Sequence, residues 1–271
     1  MRRLTAALFG ALCGAMLAFP QQAAQAALDA LTLWARSVAP VLFPFMLCAV
    51  MISSRIRAGG AQLTALAWLC GSPGGARLIT PLAPQGARAL RCAAMTGTMS
   101  PLFLVGTVGA WLQSGAAGWR VLGCHLGGAW LTGLCFGRGK EPPAAPAPVP
   151  LGRATTDCAT ALLGVAGCMA LGSVAAAMGA CALPRLPAGA AVALRCALEV
   201  TGGVHALAET ALPLRVPLIC AAVSFGGLSI LLQNAAYWRA CGVSLGRLAL
   251  LRLLHAAIAF CLCLLTERLP L

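Results

Sequence analysis

Two ionisable side chains, Arg77 and Glu199, lie in apolar stretches of a chain that is 60% hydrophobic and only 9% charged. An ionisable group at membrane depth costs at least ~2.5–3.5 kcal/mol unless it is paired or hydrated, so such residues usually have a function. Arg77 can hold a carboxylate of a solute in a bidentate fork, and Glu199 can bind a coupling cation or carry a proton. The alternatives are an ion pair between the two, or side chains that extend to the membrane surface.

Glycine and hydroxyl residues accompany both charges in corresponding places of the two halves of the chain. Glycine clusters and Pro101 predict helix breaks, and a break near the membrane midplane exposes free N–H and C=O groups on facing half-helix ends. Such ends bind ions and polar solutes, although small residues also allow close helix packing. We predict Glu199 as the ion-coupling residue. The predicted solute-binding residues are Ser72, Gly74, Gly75, Arg77, Thr96, Thr98, Ser100, Thr201, Gly202, Ser224, Gly226, Gly227, Ser229 and Gln233.

The sequence contains no pattern typical of an active site. His125, His205 and His255 have no metal-binding spacing, and neither a GxSxG element nor a Walker loop is present. We therefore expect no catalytic residue, no metal site and no cofactor.

Composition excludes a water-soluble fold, since the mean hydropathy of the 271 residues is +0.89. The net charge of +13 comes from basic residues between apolar runs without interleaved aromatic residues, a pattern that sets membrane topology and does not indicate a nucleic-acid partner. We predict an all-α polytopic membrane protein with about seven transmembrane helices. The predicted spans are residues 4–19, 38–53, 92–112, 119–136, 156–181, 216–238 and 245–266. Residues 4–19 are expected to remain as a first helix, with a cleaved signal peptide as the alternative.

Two further apolar stretches, 62–82 and 188–212, are interrupted by glycines or charges and are predicted to form re-entrant helical hairpins. A Pro/Ala-rich linker (137–155) separates a first repeat (38–136) from a second (156–271), and residues 1–37 form an N-terminal helix and connector. The basic residues predicted on the cytoplasmic side are Arg2, Arg3, Arg55, Arg57, Arg138, Lys140, Arg153, Arg239 and Arg247. On that map the two hairpins enter from opposite sides, which gives an inverted repeat.

Four ordered motifs resemble those of the YlbJ family of sporulation integral membrane proteins, which belongs to the nucleoside-recognition, or Gate, group of membrane domains. Residues 71–77 (GSPGGAR) resemble the family element SGYPxGAK, and residues 96–106 (TGTMSPLFLVG) resemble NTSGPLFIxG. Residues 198–203 (LEVTGG) resemble FEITxG, and residues 224–233 resemble SFGGLSxxxQ. The early segment 40–45 (PVLFPF) is similar to LxPFF.

This resemblance implies two Gate-like repeats and a transporter that moves dipicolinic acid from the mother cell across the outer forespore membrane during sporulation. The expected partners are this small solute, a coupling proton or sodium ion, and the lipid bilayer. A nucleoside or another small solute carried by the same fold is the first alternative. The second is a non-transporting membrane scaffold in spore-envelope assembly.

Overall fold

A computed structural model of the chain describes residues 2–55, 59–82, 84–137 and 148–267, without the side chain of Arg2. Of the described residues, 84% are helical and none lies in a strand. Arg57, Arg138 and Lys140, which contribute to the predicted orientation, lie outside them, as does most of the predicted linker. In chain order the α-helices are α1 (Arg2–Ala18), α2 (Pro20–Leu33), α3 (Ala39–Ser53), α4 (Gly60–Cys70), α5 (Gly74–Ile79), α6 (Gly86–Thr96), α7 (Gly109–Trp111), α8 (Gly115–Leu134), α9 (Leu151–Ala182), α10 (Ala188–Leu198), α11 (Val200–Ala208), α12 (Arg215–Phe225), α13 (Gly227–Trp238) and α14 (Leu245–Thr266).

Four helical segments of the described chain are long and apolar enough to cross a membrane, each exceeding the ~20 residues that a bilayer core requires. They are Pro20–Ser53, Leu151–Ala182, Arg215–Cys241 and Leu245–Thr266. Large apolar side chains on their outer faces, such as Leu163, Leu250 and Leu265, are exposed. These features agree with an all-α membrane protein.

Helix boundaries differ from the predicted spans in ways that local chemistry explains. The segment predicted from residue 38 begins at Pro20, because the π-helical turn Trp34–Val38 joins α2 to α3 without a break. This part of the sequence was not predicted as a span because it contains the polar residues Gln21, Gln25 and Asp29. Within the predicted linker, α9 begins at Leu151, directly after Pro150.

The predicted spans 92–112 and 216–238 are each interrupted near their centre. The first is helical to Thr96, unwound over residues 97–100 and helical again from Pro101, with a π-helical turn at Phe103–Val108. The second is broken at Gly226, which adopts the left-handed conformation with φ 82°. Both interruptions fall at the glycine motifs that the sequence marked.

Helix α9 packs against α1, α2, α3, α10 and α13 and relates their positions along the molecule. At Gly172 a Cβ atom would lie 2.9 Å from the carbonyl oxygen of Leu198, and at Gly179 it would lie 3.1 Å from the side chain of Leu194. Helix α10 therefore runs antiparallel to α9 and ends beside its middle turns. On the other side of the molecule, α8, α12 and α14 pack together and enclose His125 and His255.

Candidate solute-binding site

In the first half of the chain, the break between α4 and α5 lies against the break that follows α6. The backbone N–H of Ser72 donates to the carbonyl oxygen of Thr98 at 2.6 Å. Gly71 has φ 66°, and a Cβ atom there would lie 2.6 Å from the backbone nitrogen of Ser100. Only glycine fits this position, because it combines a left-handed conformation with a backbone contact.

The second half repeats this arrangement. Helix α10 ends at Leu198, Glu199 is extended, and α11 begins at Val200. This break lies against the one between α12 and α13, since a Cβ atom on Gly227 would lie 3.0 Å from the carbonyl oxygen of Cys196. Each half thus contains two interrupted helical segments whose breaks are in contact.

Residues at three of these breaks, together with the first two turns of α13 beyond the fourth, line one central cavity of about 30 Å³. This space is enough for one water molecule. Its apolar lining comes mainly from α3, α9 and the π-helical turn Phe103–Val108, and includes Leu42, Phe103 and Met169. Its polar lining consists of Ser72, Ser100, Glu199, Thr201, Ser229 and Gln233. The structure thus brings five of the predicted solute-binding residues, together with Glu199, around one cavity.

Several polar atoms at the central cavity are buried without a hydrogen-bond partner. They are the hydroxyls of Ser72 and Ser229 and both amide atoms of Gln233, and the buried hydroxyl of Thr98 is also unpartnered. Because a buried polar group without a partner is costly, native proteins rarely leave one so. A cluster of them around one cavity is the arrangement expected where a small polar group binds.

Glu199 is 1% exposed and caps the N-terminus of α11. Its Oε1 accepts a hydrogen bond from the backbone N–H of Thr201 at 2.8 Å, and its Oε2 accepts one from Gly202 at 2.7 Å. A carboxylate at a helix N-terminus is favoured by the free N–H groups and by the helix dipole. Both oxygens keep further lone pairs that can accept a proton or bind a cation.

Two larger cavities adjoin the central one. The Arg36 cavity, about 410 Å³, shares Glu199 with it, and the Arg77 cavity, about 510 Å³, shares Val165 and Gln233. The Arg36 cavity is also lined by Asp29, Arg36, Ser173, Arg195 and His205. The Arg77 cavity is also lined by Pro73, Arg77, Asp157, Thr160, Cys168 and Tyr237.

The three cavities follow one another along α9. Asp157 lines the Arg77 cavity, Met169 lines the central cavity, and Ser173 lines the Arg36 cavity. At 1.5 Å per residue, Asp157 and Ser173 are roughly 24 Å apart along the helix axis. The cavities therefore extend over most of the thickness of a bilayer core.

Arg77 does not line the central cavity. Its guanidinium is 3.1 Å from the carboxylate of Asp157 on α9 and also donates to the backbone carbonyl of Asp157. It is not paired with Glu199. Asp157 was not among the predicted residues, although it is one of only six acidic residues in the sequence.

The other predicted residues have varied surroundings. Gly75 is a packing position, since a Cβ atom there would lie 2.5 Å from the carbonyl oxygen of Thr96, and Gly74 lies against Cys70 and Met46. The hydroxyl of Thr96 bonds to its own helix at Cys92, and Gly202 lines the Arg36 cavity. Gly226 and Gly227 form the break itself.

A buried hydrogen-bond network behind the central cavity was missed from the sequence. Arg252, 3% exposed on α14, donates to the carbonyl oxygens of Ala93, Ala94 and Gly97, the first two at 2.6 and 2.9 Å. These carbonyls end α6, so the guanidinium caps the helix where residues 97–100 unwind. An arginine inside the apolar segment 245–266 is the signal that could have identified it.

Two neutral histidines continue this network. Nε2 of His125 accepts the backbone N–H of Met99 at 2.9 Å, so its proton lies on Nδ1, which is 2.8 Å from the hydroxyl of Ser224. His255 accepts from Arg252 at Nδ1 and donates from Nε2 to the carbonyl oxygen of His125 at 2.7 Å. Through His125, the break after α6 is connected to the end of α12. The group of His, Cys, Asp and Glu side chains needed for a metal site does not occur among the described residues.

Comparison with known proteins gave no match to a protein family, to a curated protein or to a solved structure.

Proposed function

We propose that this protein is a membrane carrier for a small polar solute, which binds at the central cavity between the four helix breaks. The observation that carries the proposal is the set of unpartnered polar atoms of Ser72, Ser229 and Gln233 around that cavity. In a scaffold that binds no solute, we expect apolar residues at these three positions, or polar residues whose hydrogen bonds are satisfied within the protein. On this proposal, α4–α5 and α10–α11 are the two re-entrant hairpins of an inverted repeat with about seven spans.

The arrangement of the cavities supports transport by alternating access. The side chain of Glu199 separates the central cavity from the Arg36 cavity, and Val165 and Gln233 separate it from the Arg77 cavity. A central cavity of about 30 Å³ is closed to an organic solute in this conformation. Transport would require each partition to move in turn, which opens the central cavity to one side at a time.

The resemblance of the motifs makes dipicolinate, a planar dicarboxylate, the solute we propose first. Arg36 and Arg195 line the Arg36 cavity together with Asp29 and Glu199, and neither arginine is within ion-pair distance of a described carboxylate. The two guanidinium groups can therefore bind the carboxylates of a dianion through their N–H donors. We propose Glu199, which adjoins both cavities, as the site of a coupling proton or sodium ion.

One observation favours a nucleoside as the alternative solute. The described residues that line the central cavity include no basic one, and Gln233 presents both an unpartnered donor and an unpartnered acceptor. An amide of this kind pairs well with a neutral heterocycle and gains little from a dianion.

The test is uptake of labelled dipicolinate into proteoliposomes under a proton or sodium gradient, with nucleosides as competitors. Gln233→Leu should abolish saturable uptake of the transported solute. Thr155→Val should not, because the Thr155 hydroxyl is exposed on α9 and bonds only to its own helix at Leu151. Inhibition by nucleosides without dipicolinate uptake would assign the alternative solute. No uptake of either by the folded protein would refute the carrier and favour the scaffold.

A further inference from the structure

A groove on the opposite side of α6 from the central cavity combines arginines with an apolar wall. It has a volume of about 630 Å³ and lies between α4, α6 and α8. Its lining residues are Gly60, Ala61, Thr64, Ala65, Trp68, Arg88, Arg91, Cys92, Met95 and Trp130. It shares no lining residue with the three cavities of the proposed pathway.

The basic end of the groove lies at helix termini, where membrane helices meet the lipid headgroups. Arg88 and Arg91 belong to the first two turns of α6, which begins at Gly86. Arg91 donates to the carbonyl oxygens of Gly133 and Phe136, at the end of α8, and α4 begins at Gly60 in the same groove. Three helix ends therefore meet at the arginines.

The other end of the groove is lined by the apolar side chains of Trp68 and Met95. From Gly60 to Trp68, α4 rises roughly 12 Å, and the indole N–H of Trp68 donates to the carbonyl oxygen of Met95 at 2.6 Å. Trp130 is 47% exposed along the side of the groove. This shape suits an acyl chain that passes inward from a headgroup held at the arginines.

We propose that this groove binds an anionic phospholipid, with the lipid phosphate on Arg88 and Arg91 and an acyl chain along Trp68 and Trp130. None of the described residues that line the groove is acidic, and neither arginine forms an ion pair with a described carboxylate. Arginine binds phosphate through its planar fork of N–H donors, and basic pockets between membrane helices on the cytoplasmic side favour anionic headgroups. The exposed Arg55, in the connector between α3 and α4, adds positive charge at the same end.

The groove contains its own fluorescent reporters, so lipid binding can be measured by quenching of tryptophan fluorescence. The protein would be reconstituted in phosphatidylcholine vesicles that contain brominated phosphatidylglycerol or brominated phosphatidylcholine in equal amounts. The tryptophan fluorescence of the wild type should be quenched more by brominated phosphatidylglycerol than by brominated phosphatidylcholine. Trp130→Phe should reduce the difference in quenching between the two lipids. Equal quenching by the two lipids in wild type would overturn the proposal.

Charge and shape can be tested separately. Arg88→Gln should lower the relative affinity for the anionic lipid about fivefold, the loss expected for one basic residue at an anionic surface. Arg153→Gln, which removes an exposed arginine on α9, is the matched control and should leave that affinity unchanged. Ala65→Leu fills the groove without changing its charge and should also remove the preference. An unchanged preference in both groove variants, or an equal loss in the control, would contradict a site in this groove.

A soluble competitor distinguishes a lipid from a free phosphate compound. Glycerol phosphate at matched ionic strength should not displace the anionic lipid, because it lacks the chain that contacts the tryptophans. Full displacement would show that the groove binds phosphate compounds in general. The lipid proposal does not depend on transport, and a failure of either leaves the other intact.

Discussion

Replacing Arg252 by methionine should destabilise the protein strongly, because this arginine caps the interrupted end of α6. Its guanidinium bonds to three backbone carbonyls and to His255 in a fully enclosed position. A hydrogen bond to a charged group contributes about 1.5–3 kcal/mol, and an unsatisfied buried carbonyl costs about 1–3 kcal/mol. The cost of burying the charge in wild type offsets part of this sum, so the expected loss is about 3–5 kcal/mol, as for other broken buried networks.

The assay is the free energy of unfolding in mixed micelles, measured for Arg252→Met, Arg252→Lys and the control Arg247→Gln. Lysine can reach some of the same carbonyls, so its loss should be smaller than that of methionine. Arg247 is exposed in the first turn of the same helix, and its replacement should change stability by less than about 0.5 kcal/mol. A methionine variant as stable as the control would refute the capping role of Arg252.

Three further predictions concern the helix breaks and the cavities. Glu199→Gln should reduce the initial rate of uptake about tenfold or more, because the amide has no negative charge to bind a proton or a cation; unchanged uptake would exclude Glu199 as the coupling group. The amide also cannot accept both N–H bonds at the start of α11, each worth about 1.5 kcal/mol or more, so the folded fraction of the variant is measured alongside. Gly71→Ala should destabilise the protein by about 1–3 kcal/mol more than Gly86→Ala. Both glycines have positive φ, but only Gly71 lies against the backbone of another segment. Equal losses of stability in thermal unfolding would contradict the importance of that contact. Asp157→Asn removes the carboxylate from a partly exposed ion pair with Arg77, so it should change the free energy of unfolding by less than about 1 kcal/mol. It should also strengthen the binding of anionic solutes, measured by isothermal titration, because Arg77 is then free to bind them. Weaker binding would contradict an anion-attracting role for the Arg77 cavity.

The helix breaks could be predicted from the sequence because their causes are local. Glycine at Gly71 and Gly226 adopts the left-handed backbone at little cost, and Pro101 begins a new helix after an unwound segment. Hydroxyl and amide residues lie beside these breaks, and the structure collects Ser72, Ser229 and other predicted residues around one cavity.

Side-chain partners could not be predicted, because they depend on how distant segments pack. Arg77 pairs with Asp157 only because α5 lies beside the first turns of α9, which are 80 residues away in the sequence. His125 and His255 show no pairing in their spacing, yet their ring centroids are 4.8 Å apart. Arg252 could have been identified by the same reasoning that selected Arg77 and Glu199, since it too is a charge in an apolar segment.

Around the central cavity, the helices joined by buried hydrogen bonds can be distinguished from the α4–α5 and α10–α11 pairs, and this difference suggests which parts of a carrier would move. His125 bonds to Met99 and Ser224, and Arg252 bonds to the end of α6, so α6, α8, α12 and α14 are connected by buried side-chain hydrogen bonds. The α4–α5 pair reaches this body through the backbone bond from Ser72 to Thr98 and through the indole bond from Trp68 to Met95.

The two helix pairs outside this body also border the cavities, beside the partition residues Val165 on α9 and Gln233 on α13. Ser72 faces the central cavity while its neighbour Pro73 lines the Arg77 cavity, and Glu199, at the tip of α10–α11, adjoins both the central and the Arg36 cavities. If the connected helices form the fixed body, movement of α4–α5 opens the central cavity toward the Arg77 side, and movement of α10–α11 opens it toward the Arg36 side. On the proposed function, the α4–α5 and α10–α11 pairs would each control access from one side of the membrane, as alternating access requires.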